Sequence, residues 1–108
     1  MKNVLFICSQ NKLRSPTAEA IFTGQDNFEV ASAGLDKDAT VTVTPELLKW
    51  ADIIFVMEKN HKNRLQKRFR KYLNKQKVIC LGIPDNYEFM DPELVRKFKD
   101  MIPRLLHQ

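Results

Sequence analysis

Four short apolar runs, separated by stretches with helical periodicity, constrain this sequence more than any other feature. Val4 to Cys8 is apolar at every position, and Ile53 to Met57 repeats the pattern. Phe28 to Ala33 (Phe-Glu-Val-Ala-Ser-Ala) and Val78 to Leu81 are weaker versions. Runs apolar on both faces are the mark of buried parallel strands, because one-sided antiparallel strands alternate with polar residues. Helical patterns lie between and after them. Ser15-Pro16 opens the first, with Ser15 as N-cap, Ala18, Ile21 and Phe22 on one face and Gly24 as the stop. Thr44-Pro45-Glu46 opens the second, with Leu47, Leu48 and Trp50 turned inward. The third runs from about Asn60 through Leu65, Phe69 and Leu73. Asp91-Pro92-Glu93 starts the fourth, which carries Leu94, Val95, Phe98, Ile102 and Leu105 at helical spacing. Strands alternating with helices imply an α/β parallel sheet with right-handed crossovers. Ligands of such sheets bind beyond the carboxyl ends of the strands, here the loops after Cys8, Ala33, Met57 and Leu81.

A chain of 108 residues is expected to form one domain over 1–108, since a second core would leave neither half enough interior. Its 44% hydrophobic and 29% charged residues exclude disorder, and no run approaches the roughly 20 apolar residues of a membrane span. The N-terminal apolar run is too short for a signal peptide, and Cys8 and Cys80 are the two cysteines. A cytoplasmic protein without a structural disulfide is expected. The formal charge of +5 favours an anionic partner: nucleic acid, a membrane surface or a phosphorylated substrate.

The loop after the first strand narrows that choice. It reads Cys8-Ser9-Gln10-Asn11-Lys12-Leu13-Arg14-Ser15, and the Pro16 helix follows at once. A loop of this length wraps around a tetrahedral oxyanion with its backbone N–H groups inward, and the helix N-terminus adds partial positive charge. Arg14 offers a planar fork to two phosphate oxygens. That field favours a thiolate at Cys8, and a thiolate beneath a bound phosphate is an in-line nucleophile. Ser15 is placed to donate to the sulfur. The plainer alternative is a buried structural cysteine with Arg14 on the surface.

Val-Leu-Phe-Ile-Cys-Ser-Gln-Asn-Lys-Leu-Arg-Ser-Pro-Thr-Ala-Glu resembles the start of the low-molecular-weight protein tyrosine phosphatases. Cys8, Asn11, Arg14, Ser15, Pro16, Ala18 and Glu19 match that family's signature. Ser32-Ala33-Gly34 is similar to its Ser-Ala-Gly after the second strand, and Ala51 to Glu58 to its third strand, where Asp usually follows Met. The resemblance implies a three-layer αβα fold with a four-stranded parallel sheet, a phosphocysteine intermediate, no metal and no cofactor. It implies catalysis by Cys8 and Arg14, with substrate held by Ser9, Gln10, Asn11, Lys12, Leu13 and Ser15. The family also supplies an Asp as general acid from a loop after the fourth strand. Asp85 and Asp91 compete for that role here. Asp85 is preferred because it lies nearer the strand end and two residues before Tyr87, whereas Asp91 reads as a helix N-cap. Three departures stand out. Gln10 occupies a position that is usually Gly, Leu13 one that is often a second cysteine, and the stretch from Gly34 to Pro45 is short. The short stretch omits a segment that normally contributes an aromatic wall to the substrate cleft.

The implied function is a phosphotyrosine-type phosphomonoester hydrolase whose partner is a phosphorylated protein or a small aryl phosphate, with no membrane partner. A non-catalytic phosphate- or nucleic-acid-binding module ranks below it, because binding needs neither Cys8 nor an acid. An arsenate reductase ranks lower still, because Cys80 alone cannot complete a thiol relay. Nine basic residues and no acidic one fall between 59 and 77. They read as a solvated helix face opposite Leu65, Phe69 and Leu73, or as a collar that draws anions. Within this run His61 is expected to face solvent. His107 is expected to fray at the C-terminus. The sequence assigns no oligomeric state.

Overall fold

The computed structural model describes residues 2–25 and 27–106; His107 lies outside them. Four parallel strands, β1 (Lys2–Cys8), β2 (Phe28–Gly34), β3 (Ile53–Val56) and β4 (Lys77–Cys80), form one sheet in the order β2-β1-β3-β4. The helices are α1 (Arg14–Phe22), α2 (Pro45–Trp50), α3 (Lys59–Phe69) and α4 (Pro92–Leu106), with a 3-10 turn at Arg70–Tyr72.

Side chains of a strand alternate between faces, so the doubly apolar β1 and β3 feed two cores at once. Val4, Phe6, Ile53 and Phe55 pack with Ala18 and Phe22 of α1 and with Leu94, Phe98 and Ile102 of α4. Leu5, Ile7, Ile54 and Val56 pack on the opposite face with Leu48 of α2 and Leu65 of α3. This is the expected three-layer αβα arrangement. Phe6 anchors the first core, its ring centroid 5.5 Å from that of Phe55. Thr44 caps α2 by accepting from Leu47 N–H at 3.2 Å, and Asp91 accepts from Glu93 N–H at 2.8 Å at the start of α4. Trp50 and Leu47 only border the second core, so the inward turn expected of α2 is complete at Leu48 alone.

In the order β2-β1-β3-β4 the chain leaves β1 toward one edge and continues beyond β3 toward the other. The loops after β1 and β3 therefore diverge and open a crevice at the carboxyl end of the sheet. A second constraint closes the side next to β2. Gly34, at the end of that strand, lies so close to the loop after β1 that a Cβ there would sit 2.5 Å from Ser9 O and 2.9 Å from Asn11 N. Gly34→Ala must displace that loop. It is expected to lower stability by about 2 kcal/mol in urea unfolding, within the usual range for overpacking.

Candidate active site

The loop between β1 and α1 is shaped by Asn11, whose backbone is left-handed at φ 57°. Its N–H points back to Cys8 Sγ at 3.2 Å. Gln10 has no positive φ, so the position where the resembled family has Gly makes no special backbone demand here. The N–H groups of Gln10, Lys12 and Leu13 have no acceptor among the hydrogen bonds of the described residues, which leaves them for an anion. Helix α1 starts at Arg14 with Leu13 in the capping position, two residues earlier than the Ser-Pro signal predicts. Ser15 is accordingly not an N-cap. Its hydroxyl turns inward to Cys8 Sγ at 2.9 Å.

Proton positions in this network follow from counting donors. The Asn11 amide donates one hydrogen to Ser15 Oγ (3.0 Å) and the other to Ser32 Oγ (2.9 Å), and Ser32 donates onward to Glu19 Oε1 at 2.5 Å. Ser15 Oγ thus already accepts, and its own hydrogen is directed at the sulfur. Cys8 Sγ is met by two donors, the Ser15 hydroxyl and the Asn11 N–H.

Arg14 is 3% exposed. Its Nη1 donates to Glu58 Oε2 and to the Ile83 carbonyl, each at 2.7 Å. Both hydrogens of Nη1 are used, and the Nε–Nη2 edge is left as a two-pronged fork facing the pocket. Asp85 Oδ1 lies 3.8 Å from Arg14 Nε, with its side chain 67% exposed. The loop carrying Asp85 is pinned by Ile83 N–H to Met57 O (2.7 Å), by buried Tyr87 and by Met90 N–H to Thr17 Oγ1 (2.9 Å). Cys8, Ser9, Gln10, Lys12, Leu13, Arg14, Asp36 and Asp85 line a cavity of about 400 Å³. Of the residues predicted from sequence, Asn11 and Ser15 stand behind this wall as supports, while Asp91 caps α4.

His61 is a correction. The structure buries it completely under the loop instead of turning it to solvent. Nε2 is 2.9 Å from Ser9 Oγ, and Nδ1 accepts from Glu58 N–H at 3.0 Å. Its place was legible as the fourth residue before Leu65 on the same helical stripe. Glu58, which stands where the resembled family usually has Asp, caps α3 and pairs with Arg14. The basic run divides: Arg64 pairs with Asp36 at 2.7 Å and Arg68 donates to Leu35 O at 2.6 Å, while Lys62, Lys67 and Arg70 line a separate groove of about 750 Å³. Cys8 and Cys80 are both free. Strand β3 separates their strands, which puts their backbones about 10 Å apart, beyond disulfide reach. Among the described residues no group of three His, Cys, Asp or Glu could hold a metal ion, and no helix is long and apolar enough to cross a membrane.

Residues 3–51 match the family model described as low molecular weight phosphotyrosine protein phosphatase. A protein-arginine-phosphatase of Bacillus subtilis is 24% identical over 98% of this chain and 93% of its own length. That alignment spans 139 positions, more than the chain contains, so the relative carries segments absent here. YwlE arginine phosphatase from Geobacillus stearothermophilus superimposes with a TM-score of 0.77 at 20% identity, covering 99% of this chain and 94% of that one. The tyrosine phosphatase Wzb from Escherichia coli K30, in complex with phosphate, gives 0.76 at 20% identity, covering 97% and 96%.

Burial, followed by the Arg14 charge, lowers the pKa of His61 from 6.5 to about 4. Arg64 adds to the shift, while Glu58 and Asp36 oppose it. Between those values the unfolded chain binds a proton that the folded chain does not. Stability is therefore complete above about pH 6.5 and falls as the pH drops toward 4, by at most about 1.4 kcal/mol per pH unit. Urea unfolding across this range should show a steeper acid loss for the wild type than for His61→Gln.

Proposed function

We propose that the chain, which is similar to the low-molecular-weight phosphotyrosine phosphatases in signature over residues 3–51 and in fold throughout, is a cysteine-dependent phosphatase of phosphorylated protein side chains. The observation that carries this reading is the meeting of Cys8 Sγ, with two donors on it, and the Nε–Nη2 edge of buried Arg14, which makes no hydrogen bond among the described residues, in one pocket. Binding alone explains neither the buried sulfur nor the donors aimed at it.

The phosphoryl group sits on the loop N–H groups and the Arg14 fork. Cys8 sulfur attacks phosphorus from the side opposite the leaving group, so the S–P bond forms as the bond to the leaving oxygen breaks. Arg14 and the loop dipoles stabilise the charge that spreads over the equatorial oxygens. Asp85, at the mouth of the pocket, gives its proton to the leaving oxygen. It then takes one from the water that attacks the phosphocysteine, and phosphate and thiolate are released. Ser15, donating to sulfur, stabilises the thiolate both when it attacks and when it leaves.

The aryl phosphate of phosphotyrosine is the first substrate reading. Phosphoarginine is a second, favoured by one observation. The cavity has no aromatic side chain among its described lining residues, and the Asp85 carboxylate on its wall suits a cationic side chain.

Turnover of p-nitrophenyl phosphate tests the chemistry. Wild type is expected to be active and Cys8→Ser to fall to background. Asp85→Ala should lose roughly 10²- to 10⁴-fold in kcat. Asp91→Ala should retain turnover and lose about 1 kcal/mol of stability, as befits a cap. A wild type without turnover between about pH 5 and 8 would sink the reading. Phosphotyrosine and phosphoarginine peptides compared by kcat/KM separate the two substrates.

A further inference from the structure

The 2.9 Å hydrogen bond between Ser9 Oγ and His61 Nε2 takes no part in the steps above, yet Ser9 is part of the pocket wall. The polarity of this bond is fixed by the neighbouring backbone. Glu58 N–H donates to His61 Nδ1, so that nitrogen carries the lone pair and the ring hydrogen resides on Nε2. Nε2–H therefore donates to Ser9 Oγ. The hydroxyl hydrogen of Ser9 is left over, and Ser9 Oγ has no second partner among the described residues.

Both ends of this unit are held in place. Asp36 N–H donates to Ser9 O at 2.8 Å, and Gly34 packs directly against that carbonyl. His61 is fully buried in the first turn of α3, where Arg14 and Arg64 together with burial keep it neutral against Glu58 and Asp36. A protonated ring would place a hydrogen on Nδ1, in conflict with the Glu58 N–H already pointing there. The Ser9 oxygen is thus occupied as an acceptor from behind, and its hydrogen has no acceptor among the described residues, in a residue that lines the same cavity as Cys8 and Arg14.

We infer that Ser9 contacts the substrate: its hydroxyl, oriented by His61, donates a hydrogen bond to an oxygen of the phosphoryl group bound on the Cys8 loop. The identity of that anion rests on the phosphatase reading. His61 acts through Ser9 and is a positioning residue. The loop then offers one neutral side-chain donor in addition to its backbone N–H groups and the arginine.

Calorimetric titration of inorganic phosphate into wild type, Ser9→Ala, Ser9→Thr, His61→Gln and the Ser9→Ala/His61→Gln pair tests this, with thermal melts of each. Ser9→Ala is expected to weaken phosphate binding about tenfold, the scale of one hydrogen bond to a charged group, with its melting temperature unchanged. Ser9→Thr should recover most of that loss. His61→Gln should also weaken binding, and the double variant should bind no more weakly than Ser9→Ala alone. Phosphate affinity in Ser9→Ala equal to wild type would overturn the contact. Losses that add in the double variant would overturn the positioning role of His61. If His61→Gln does not fold, the Ala and Thr pair at position 9 decides alone. Wild-type p-nitrophenyl phosphate turnover, measured alongside, separates the two claims. Ser9-dependent phosphate binding without turnover removes the phosphatase and keeps the contact, whereas turnover with Ser9-independent phosphate binding does the reverse. A wild type that binds no phosphate overturns both.

Discussion

A guanidinium that is 3% exposed must find its partners inside the protein, and Arg14 finds them on two different loops. It opens α1 at the end of the loop after β1, its Nη1 meets Glu58 after β3, and the same nitrogen meets the carbonyl of Ile83 after β4. Three chain segments with no sequence proximity are fastened at one group. Only the arginine side of the ion pair is buried, so removing Glu58 would leave a buried charge without its carboxylate partner. The pairing is also what orients the guanidinium: with Nη1 committed to the protein, only the Nε–Nη2 edge can serve a ligand. Arg14 therefore holds the site together and presents its charge by the same geometry, and no substitution at that position can separate the two roles.

The second support is a chain of polar groups behind the sulfur. Asn11 adopts a left-handed backbone that is unfavourable for most residues but tolerated by Asn. Its amide has two hydrogens and spends both, on Ser15 and on Ser32. Glu19 accepts from Ser32 and so fixes the direction of every bond in the series. A carboxylate on α1 thereby determines that the hydrogen of Ser15 faces Cys8. No buried side-chain nitrogen or oxygen among the described residues lacks a partner, which is the condition under which such a network makes a site rigid instead of weakening it.

The fold was legible because its strongest signal is physical: strands buried on both faces cannot carry polar residues, and β1 and β3 carry none between Val4 and Cys8 or Ile53 and Val56. Helix termini set by local chemistry, such as Thr44 and Asp91, were equally readable. What the sequence concealed were residues whose local signal is outweighed by a tertiary partner. Ser15 before Pro16 has the form of an N-cap, but the sulfur seven residues earlier claims its hydroxyl and α1 begins at Arg14. His61 looks polar in a basic run, yet it continues the Leu65 stripe and is drawn inward by Ser9 and the Glu58 backbone. The basic run itself reads as a uniform charged face. In space, Arg64 and Arg68 leave it to bind Asp36 and the Leu35 carbonyl.

Those last two contacts bear on how a chain this short keeps a complete loop. The segment from Leu35 to Val43 connects β2 to α2 without a helix of its own. It supports the Cys8 loop through backbone bonds, Asp36 N–H to Ser9 O at 2.8 Å and Thr40 N–H to Gln10 O at 3.1 Å. It returns to β2 through Gly34 N–H to Val41 O and Val43 N–H to Gly34 O. Arg64 and Arg68 hold it from the side of α3. Support of the anion loop depends on these backbone bonds and on the absence of a Cβ at Gly34, none of which requires the longer segment. An apolar wall beside the ligand does require additional residues, and Asp36 stands in the described lining at that side. Shortening here acts on one side of the cavity while the backbone bonds that hold the Cys8 loop are kept, so the shape of the cavity wall and the geometry of the loop are set by different parts of the chain.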